Sequence, residues 1–259
     1  MLNWSALTEA QILLFALIFL RMIAFVVSSA IFGSPLLTTP VKVLLSLVLS
    51  LLLFPIVQKT NVDYSLVSNE IIGLAVRELI IGLSLGFLTR LFFFVVTMTG
   101  DLVSISVGLS ASQLYNPLLG SHGNSIDQFY TTLGTLVFLA INGHHMLLSA
   151  ISQSYDLVPV SAMSLNVGPF AEMAVYGQTV MMMAIKMCAP VLVAILLVNL
   201  AMGILGRAVP QINVLVTSMP VTILLGMTVV FICLPLLALE MSSVVEITAS
   251  KLFAVMKQL

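Results

Sequence analysis

The chain has 259 residues, of which 60% are hydrophobic and 7% charged, with a net charge of −1 and a mean hydropathy of +1.20. Soluble domains carry about 25% charged residues, so a water-facing globular surface is excluded, and the near-neutral balance leaves no electrostatic footprint for nucleic acid. What composition leaves is an all-α integral membrane protein.

A spanning helix needs about 20 predominantly apolar residues. Stretches of that kind lie at 10–30, 36–57, 71–97, 128–151, 173–203 and 211–239. The N-terminus lacks the basic region and small-residue cleavage site of a signal peptide, so the first apolar segment is expected to be retained. Pro- and Gly-bearing breaks separate several spans: FGSPLLTTP at 32–40, VPVSAMSLNVGP at 158–169 and GRAVPQIN at 206–213. Residues 240–259 (EMSSVVEITASKLFAVMKQL) have the pattern of a short amphipathic helix. No soluble domain, low-complexity tail or internal repeat is visible.

Charges interrupt the spans. Arg21 lies in the first and Lys186 in the fifth; Arg77, Glu78 and Arg90 lie in the third, with Asp101 just past its predicted end. A lone charge at a helix centre costs about 2.5–3.5 kcal/mol on insertion scales. Such charges either snorkel or pair near a membrane surface, or sit in helices buried against other protein. Within the third span Glu78, Gly82, Gly86 and Arg90 recur every fourth residue, a ridge that drifts about 40° per step. Gly82 and Gly86 form a small-xxx-small pair that lets another backbone approach closely. That backbone is either a neighbouring helix of the same chain or a helix of a partner.

The stretch SASQLYNPLLGSHGNS at 110–125 is polar, turn-forming and uncharged. Bulk water favours Lys, Glu and Asp in a loop, and hydrocarbon penalises every unpaired polar group. A water-filled interior enclosed by protein suits it better than either. Asn142, Gly143, His144 and His145 follow the next apolar run; without metal spacing around them, they are expected to cap a helix or pack a junction. Met181–Met183 read as core filler, with a soft seal as the alternative. In LGRAVPQINVLVTSMP (205–220), Pro210 is expected to end or kink the helix, leaving Arg207, Gln211 and Asn213 at the tip of a helical hairpin. Cys188 and Cys233 sit in apolar stretches as small core residues, and their spacing is no metal motif. No nucleophile–base constellation is present, so neither an enzyme nor a cofactor or metal site is expected. Lys251 and Lys257 oppose Arg207 under the positive-inside rule, which leaves orientation open.

Four ordered blocks resemble the FliR family of flagellar export-gate subunits and their injectisome counterparts, the T subunits. They are RELIIGLSLGF (77–87), TGDLVSISVGLSASQLYNP (99–117), FLAINGHHMLLSAISQSYDLVP (138–159) and NLAMGILGRAVPQINVLVTSMP (199–220). With matching length and hydropathy, the likeness covers most of the chain. Val160 stands where the family usually has Gly, Ser106 where it often has Gln, and Ser218-Met219-Pro220 where it often reads Gly-Phe-Pro.

The resemblance implies a single FliR-like membrane domain over 1–259, built of tilted helical hairpins. Residues 1–172 would be FliP-like helices with a plug loop at 106–122, residues 173–240 a FliQ-like last hairpin, and 241–259 a C-terminal amphipathic helix. It implies a hetero-oligomer with FliP and FliQ homologues in a spiral around a pore, wrapped by an FlhB homologue with an FlhA homologue nearby. Unfolded export substrates thread that pore in the bacterial inner membrane at the flagellar basal body, with much of the assembly above the normal membrane plane. The implied plug maps onto Ser106, Gly108, Leu109, Leu114, Tyr115, Asn116, Pro117 and Leu118, and the cytoplasmic entrance onto Arg207, Pro210, Gln211 and Asn213. Arg21, Glu78, Arg90 and Lys186 would take partners in a dry assembly, across subunits among other routes, with Gly82 and Gly86 in packing. The family's methionine gasket belongs to the FliP subunit and does not transfer to Met181–Met183. The same role in a virulence injectisome is the near alternative. A secondary transporter of a small solute would need inverted repeats and discontinuous helices; an intramembrane enzyme would need a catalytic constellation.

Overall fold

The computed structural model describes residues 9–58, 71–110, 125–160, 168–209, 211 and 213–258. These form seven α-helices: α1 Glu9–Ser28, α2 Thr39–Val57, α3 Ile71–Val107, α4 Ser125–Ala140, α5 Gly143–Leu157, α6 Gly168–Ala208 and α7 Val214–Gln258. There is no strand among the described residues. Among the described residues five helices (α1, α2, α3, α6, α7) are long and apolar enough to cross a membrane, and α4 and α5 pass the same test only when taken together as a bent pair, a broken span or a re-entrant loop.

Helix bounds differ from the sequence expectation in several places. The third span was expected to end at 97, yet α3 runs to Val107. Its polar residues do not break it because their hydroxyls bond back one turn: Thr97 Oγ1 to Phe93 O (3.0 Å), Thr99 Oγ1 to Val95 O (2.7 Å) and Ser106 Oγ to Leu102 O (2.6 Å). The fourth span, expected to be continuous over 128–151, is broken where Asn142 takes a left-handed φ of 56°, a conformation Asn tolerates better than most residues. Finally, α7 continues to Gln258 without interruption, through the segment read as a separate amphipathic helix.

The chain divides into two compact units. The first draws on Met1–Leu91, Gly143–Val175 and Ile247–Leu259. Its core forms where α1 turns Leu14, Leu17, Ile18, Arg21 and Phe25 inward at helical spacing. On α2, Pro40 enters in the first turn, where a missing N–H costs nothing. Ser46, Ser50, Phe54 and Val57 form its buried side, and Phe54 meets Phe15 of α1 edge-on at 5.9 Å between ring centroids. The intervening turn is tied by Lys42 Nζ donating to Gly33 O at 2.8 Å.

The second unit draws on Phe92–Asn142 and Tyr176–Glu246. Here α3 and α4 approach closely at two glycines. A Cβ on Gly100 would lie 2.8 Å from the Asp127 Cα, and one on Gly134 would lie 2.9 Å from a Val96 methyl. Phe92 and Phe138 stack between the same helices at 5.7 Å. Thr99 Oγ1 also reaches Ala184 O of α6 at 3.4 Å. Gly226 of α7 sits against Val107 and Ile195.

Candidate functional site

The densest polar cluster described lies inside the first unit. Arg21 is fully buried, as is Glu78. Arg21 Nε donates to Glu78 Oε2, and one terminal nitrogen donates to Glu78 Oε1 at 2.8 Å. That nitrogen also donates to Val158 O at 3.0 Å, while the other terminal nitrogen donates to Ser154 Oγ at 3.1 Å. The guanidinium lies 4.1 Å from the centre of the Tyr155 ring, a cation–π contact that gains strength where water is absent. Tyr155 in turn donates to Ile18 O at 3.3 Å. One side chain of α1 is thereby fixed to α3, to α5 and to the residue just beyond α5. The two-point geometry suits Arg and would not be reproduced by Lys.

Arg77, also buried, donates to Pro159 O at 2.9 Å and lies 3.8 Å from Glu78 Oε1. The adjacent carbonyls of Val158 and Pro159 are therefore both held by arginines. The cluster sums to two guanidinium groups on one carboxylate, and Arg77 Nε has no hydrogen-bond partner among the described residues.

The two glycines of the ridge work in the same unit. A Cβ on Gly82 would run into the Arg21 carbonyl and sit 2.8 Å from the Ala24 Cβ; one on Gly86 would strike the Ser28 hydroxyl and lie 2.9 Å from Phe25 O. Close approach of α1 to α3 at these glycines lets Arg21 meet Glu78. The close-packing backbone is thus a helix of the same chain, and Arg21 and Glu78 pair within the chain.

Other predicted residues stand apart from this cluster. Arg90 on α3 and Lys186 on α6 are exposed, and neither has an ion pair among the described residues. Ser106 lies in the last turn of α3, Gly108 follows with φ 93° and ends the helix, and Leu109 is exposed. Ser104 and Ser110 share a hydrogen bond of 3.0 Å across that turn. Leu114, Tyr115, Asn116, Pro117 and Leu118 lie outside the described residues, as does Pro210. Arg207 is exposed in the last turn of α6 and Gln211 is exposed beyond it. Asn213 caps α7: its Oδ1 accepts from Val216 N at 3.4 Å and its carbonyl from Thr217 N at 3.1 Å. Met181 and Met182 are exposed rather than filling this chain's core, which corrects the reading of the run as core filler.

Sequence reasoning missed Ser154, Tyr155, Val158 and Pro159 as partners of the arginines. Their separation from Arg21 is over 130 residues, and no local pattern carries such a pairing. Arg77 beside Glu78 was the one visible signal.

An all-α, multi-span membrane protein, with an ion pair neutralised inside one unit and other charges left on its sides, is the class these features define. Residues 12–247 match the family described as bacterial export proteins, family 1. The chain belongs to that family. It is similar to the flagellar biosynthetic protein FliR of Caulobacter vibrioides, 30% identical over 92% of each chain. It is also similar to FliR of Bacillus subtilis, 29% identical over 90% of this chain and 91% of that one, and to FliR of Escherichia coli, 27% identical over 85% and 83%.

Proposed function

We propose that this chain is the FliR-type subunit of a flagellar export gate, forming with FliP- and FliQ-like membrane proteins the pore through which unfolded flagellar proteins leave the cytoplasm. Family membership already makes it a component of flagellar protein export; the pore, its partners and the inner-membrane basal body are the added steps. FlhB- and FlhA-like proteins would flank the assembly.

The observation that carries the reading is the length of the uncovered apolar sides. On α6, large apolar side chains stand exposed from Val175 to Ile204 with Lys186 among them, and on α7 from Val216 to Leu239, where exposed Glu240 follows. The α6 run covers about 45 Å at 1.5 Å per residue. The hydrocarbon core is about 30 Å, and even a tilt of about 40° leaves such a run longer than that. Lipid alone does not cover it, whereas sibling apolar helices do.

In this reading residues 106–122 supply the plug. A wettable, uncharged loop sits in an aqueous pore without binding one kind of substrate. Gly108, Pro117 and Gly120 are residue types that favour turns, and Leu109, Leu114, Tyr115 and Leu118 would supply an apolar block to ions. The hairpin tip from Arg207 to Asn213 lines the cytoplasmic entrance and touches the FlhB-like protein.

The test is a mild-detergent pull-down of the tagged chain from its native cell, with mass spectrometry. Two small apolar membrane proteins in excess over the bait are the expected result. Bait alone, or as a homodimer, would overturn the reading and favour a solute transporter. Deleting 110–122 should then raise ion leak without abolishing assembly, and an unchanged leak would remove the plug.

A further inference from the structure

Helix α2, in the first unit, is matched to a bilayer in length. Its 19 residues, Thr39–Val57, make about 28 Å at 1.5 Å per residue, against a hydrocarbon core of about 30 Å. In the sequence Lys42 stands near its start and Lys59 follows its end, with no charged residue between them. Beyond Pro40 every exposed residue of the helix is Val, Leu or Ile, from Val41 to Ile56. These side chains take up more than half of the circumference at 3.6 residues per turn. The small residues point the other way. Ser46 and Ser50 are buried, each hydroxyl donating to the carbonyl one turn back, on the side where Phe54 meets Phe15 of α1.

We infer that the outer arc of α2 faces lipid acyl chains, so that this helix fixes the level of the bilayer on the chain, with Val48 near the midplane. The inference adds to the export-gate reading and does not rest on it. Composition, width and length select lipid over a partner helix. Exchanging lipid tails for the Leu and Val of another helix brings no hydrophobic gain, so helices in a membrane associate through small residues or polar groups. The arc from Val41 to Ile56 presents neither, whereas the side toward α1 presents Ser46 and Ser50. One docked helix covers a stripe and leaves the rest of so wide an arc bare; lipid covers all of it. The length of α2 equals the hydrocarbon thickness, while the exposed run on α6 exceeds it and includes Lys186. A lysine on either side of the apolar sequence suits the headgroup level, which lysine reaches along its apolar stem.

The experiment uses the tagged full chain with whatever membrane proteins accompany it from its native cell. The sample is reconstituted into bilayers of phosphatidylethanolamine and phosphatidylglycerol containing a phosphatidylcholine with a diazirine near the middle of its acyl chains. After illumination, labelled residues of this chain are mapped by peptide mass spectrometry. Label on α2 centred within a turn or two of Val48 is the expected result. With the diazirine moved close to the headgroup, the label should shift toward Val41 and Ile56. In a second measurement a photo-reactive amino acid replaces Val48 and the adducts are identified; lipid is expected. Label confined to other helices, or absent from the chain, overturns the inference. So do adducts from position 48 to another protein or to a second copy of this chain. Whether partners accompany the chain is read from the same sample and bears on the export-gate reading alone, which keeps the two failures apart.

Discussion

Arg21 and Glu78, 57 residues apart, meet as a two-point ion pair with neither side chain exposed. Burying two charges brings a desolvation cost that their attraction roughly offsets, so such a pair contributes modestly, but loss of one partner costs about 3–5 kcal/mol. Glu78→Gln should therefore sharply lower the amount of folded chain, and Arg21→Leu should do the same. The double substitution Arg21→Met with Glu78→Leu should recover part of the loss, because the pair's two charges are gone, but not all of it, because buried Arg77 then lacks its carboxylate. Thermal unfolding of the detergent-solubilised protein, with its level in the membrane, reads both. Additive losses in the double variant would mean that the pair is not energetically coupled.

The glycines that permit this pairing give a second contrast. Gly82→Ala places a methyl group against the Arg21 carbonyl, and Gly86→Ala against Phe25 O and the Ser28 side chain. Backbone atoms give way poorly, so each change should destabilise by about 1–3 kcal/mol. Gly73 and Gly203 lie in the same kind of helix with no atom of the described residues within 4 Å of an added Cβ. Replacing either with Ala should be neutral or gain up to about 1 kcal/mol from helix propensity. Unfolding midpoints of the four variants check the split; four equal effects would show that the close approach does not matter.

Much of this architecture is legible in the sequence, because length and unbroken apolarity are the dominant signals in a membrane chain. The first two spans fall within a few residues of α1 and α2. Helices α3 and α6 run past the ends of their apolar stretches, to Val107 and Ala208, because polar residues beyond those stretches do not by themselves stop a helix. A hydroxyl that bonds the carbonyl one turn back does not end a helix, as Thr99 and Ser106 show. Conversely, Asn142 breaks a span that composition alone leaves continuous. The glycine ridge and the need of Glu78 for a partner were readable; that the partner is Arg21 was not, because helix order in sequence does not say which faces meet. Exposed Met181 and Met182 illustrate the same gap.

At the α6–α7 connection, Asn213 offers a local test. Its side-chain oxygen receives the N–H of Val216, one of the first-turn donors that lack an i−4 carbonyl inside the helix. Asn213→Ala should cost about 0.5–2 kcal/mol at this end of the helix, whereas Asn213→Asp or Asn213→Ser should hold it. Hydrogen exchange at Val216 measures the difference directly. Faster exchange in the Ala variant alone is expected; equal exchange in all three would remove the cap.

Phe231 separates lipid from protein as the cover of α7. It is 74% exposed, next to Ile232 at 68%. If lipid tails face it, Phe231→Ala exchanges one apolar surface for another in a fluid that refills the space, and the stability of any assembly should hardly move. If a sibling helix is packed there, the same change leaves a cavity that neighbours fill only in part, with a cost of about 3–5 kcal/mol. Ala is chosen over a polar residue because it keeps the site apolar, so a loss cannot be assigned to membrane insertion. The expected outcome is a chain that accumulates normally and recovers far less of its co-purifying membrane proteins. Full recovery would assign this part of α7 to lipid and confine the protein-covered surface to the remaining exposed sides.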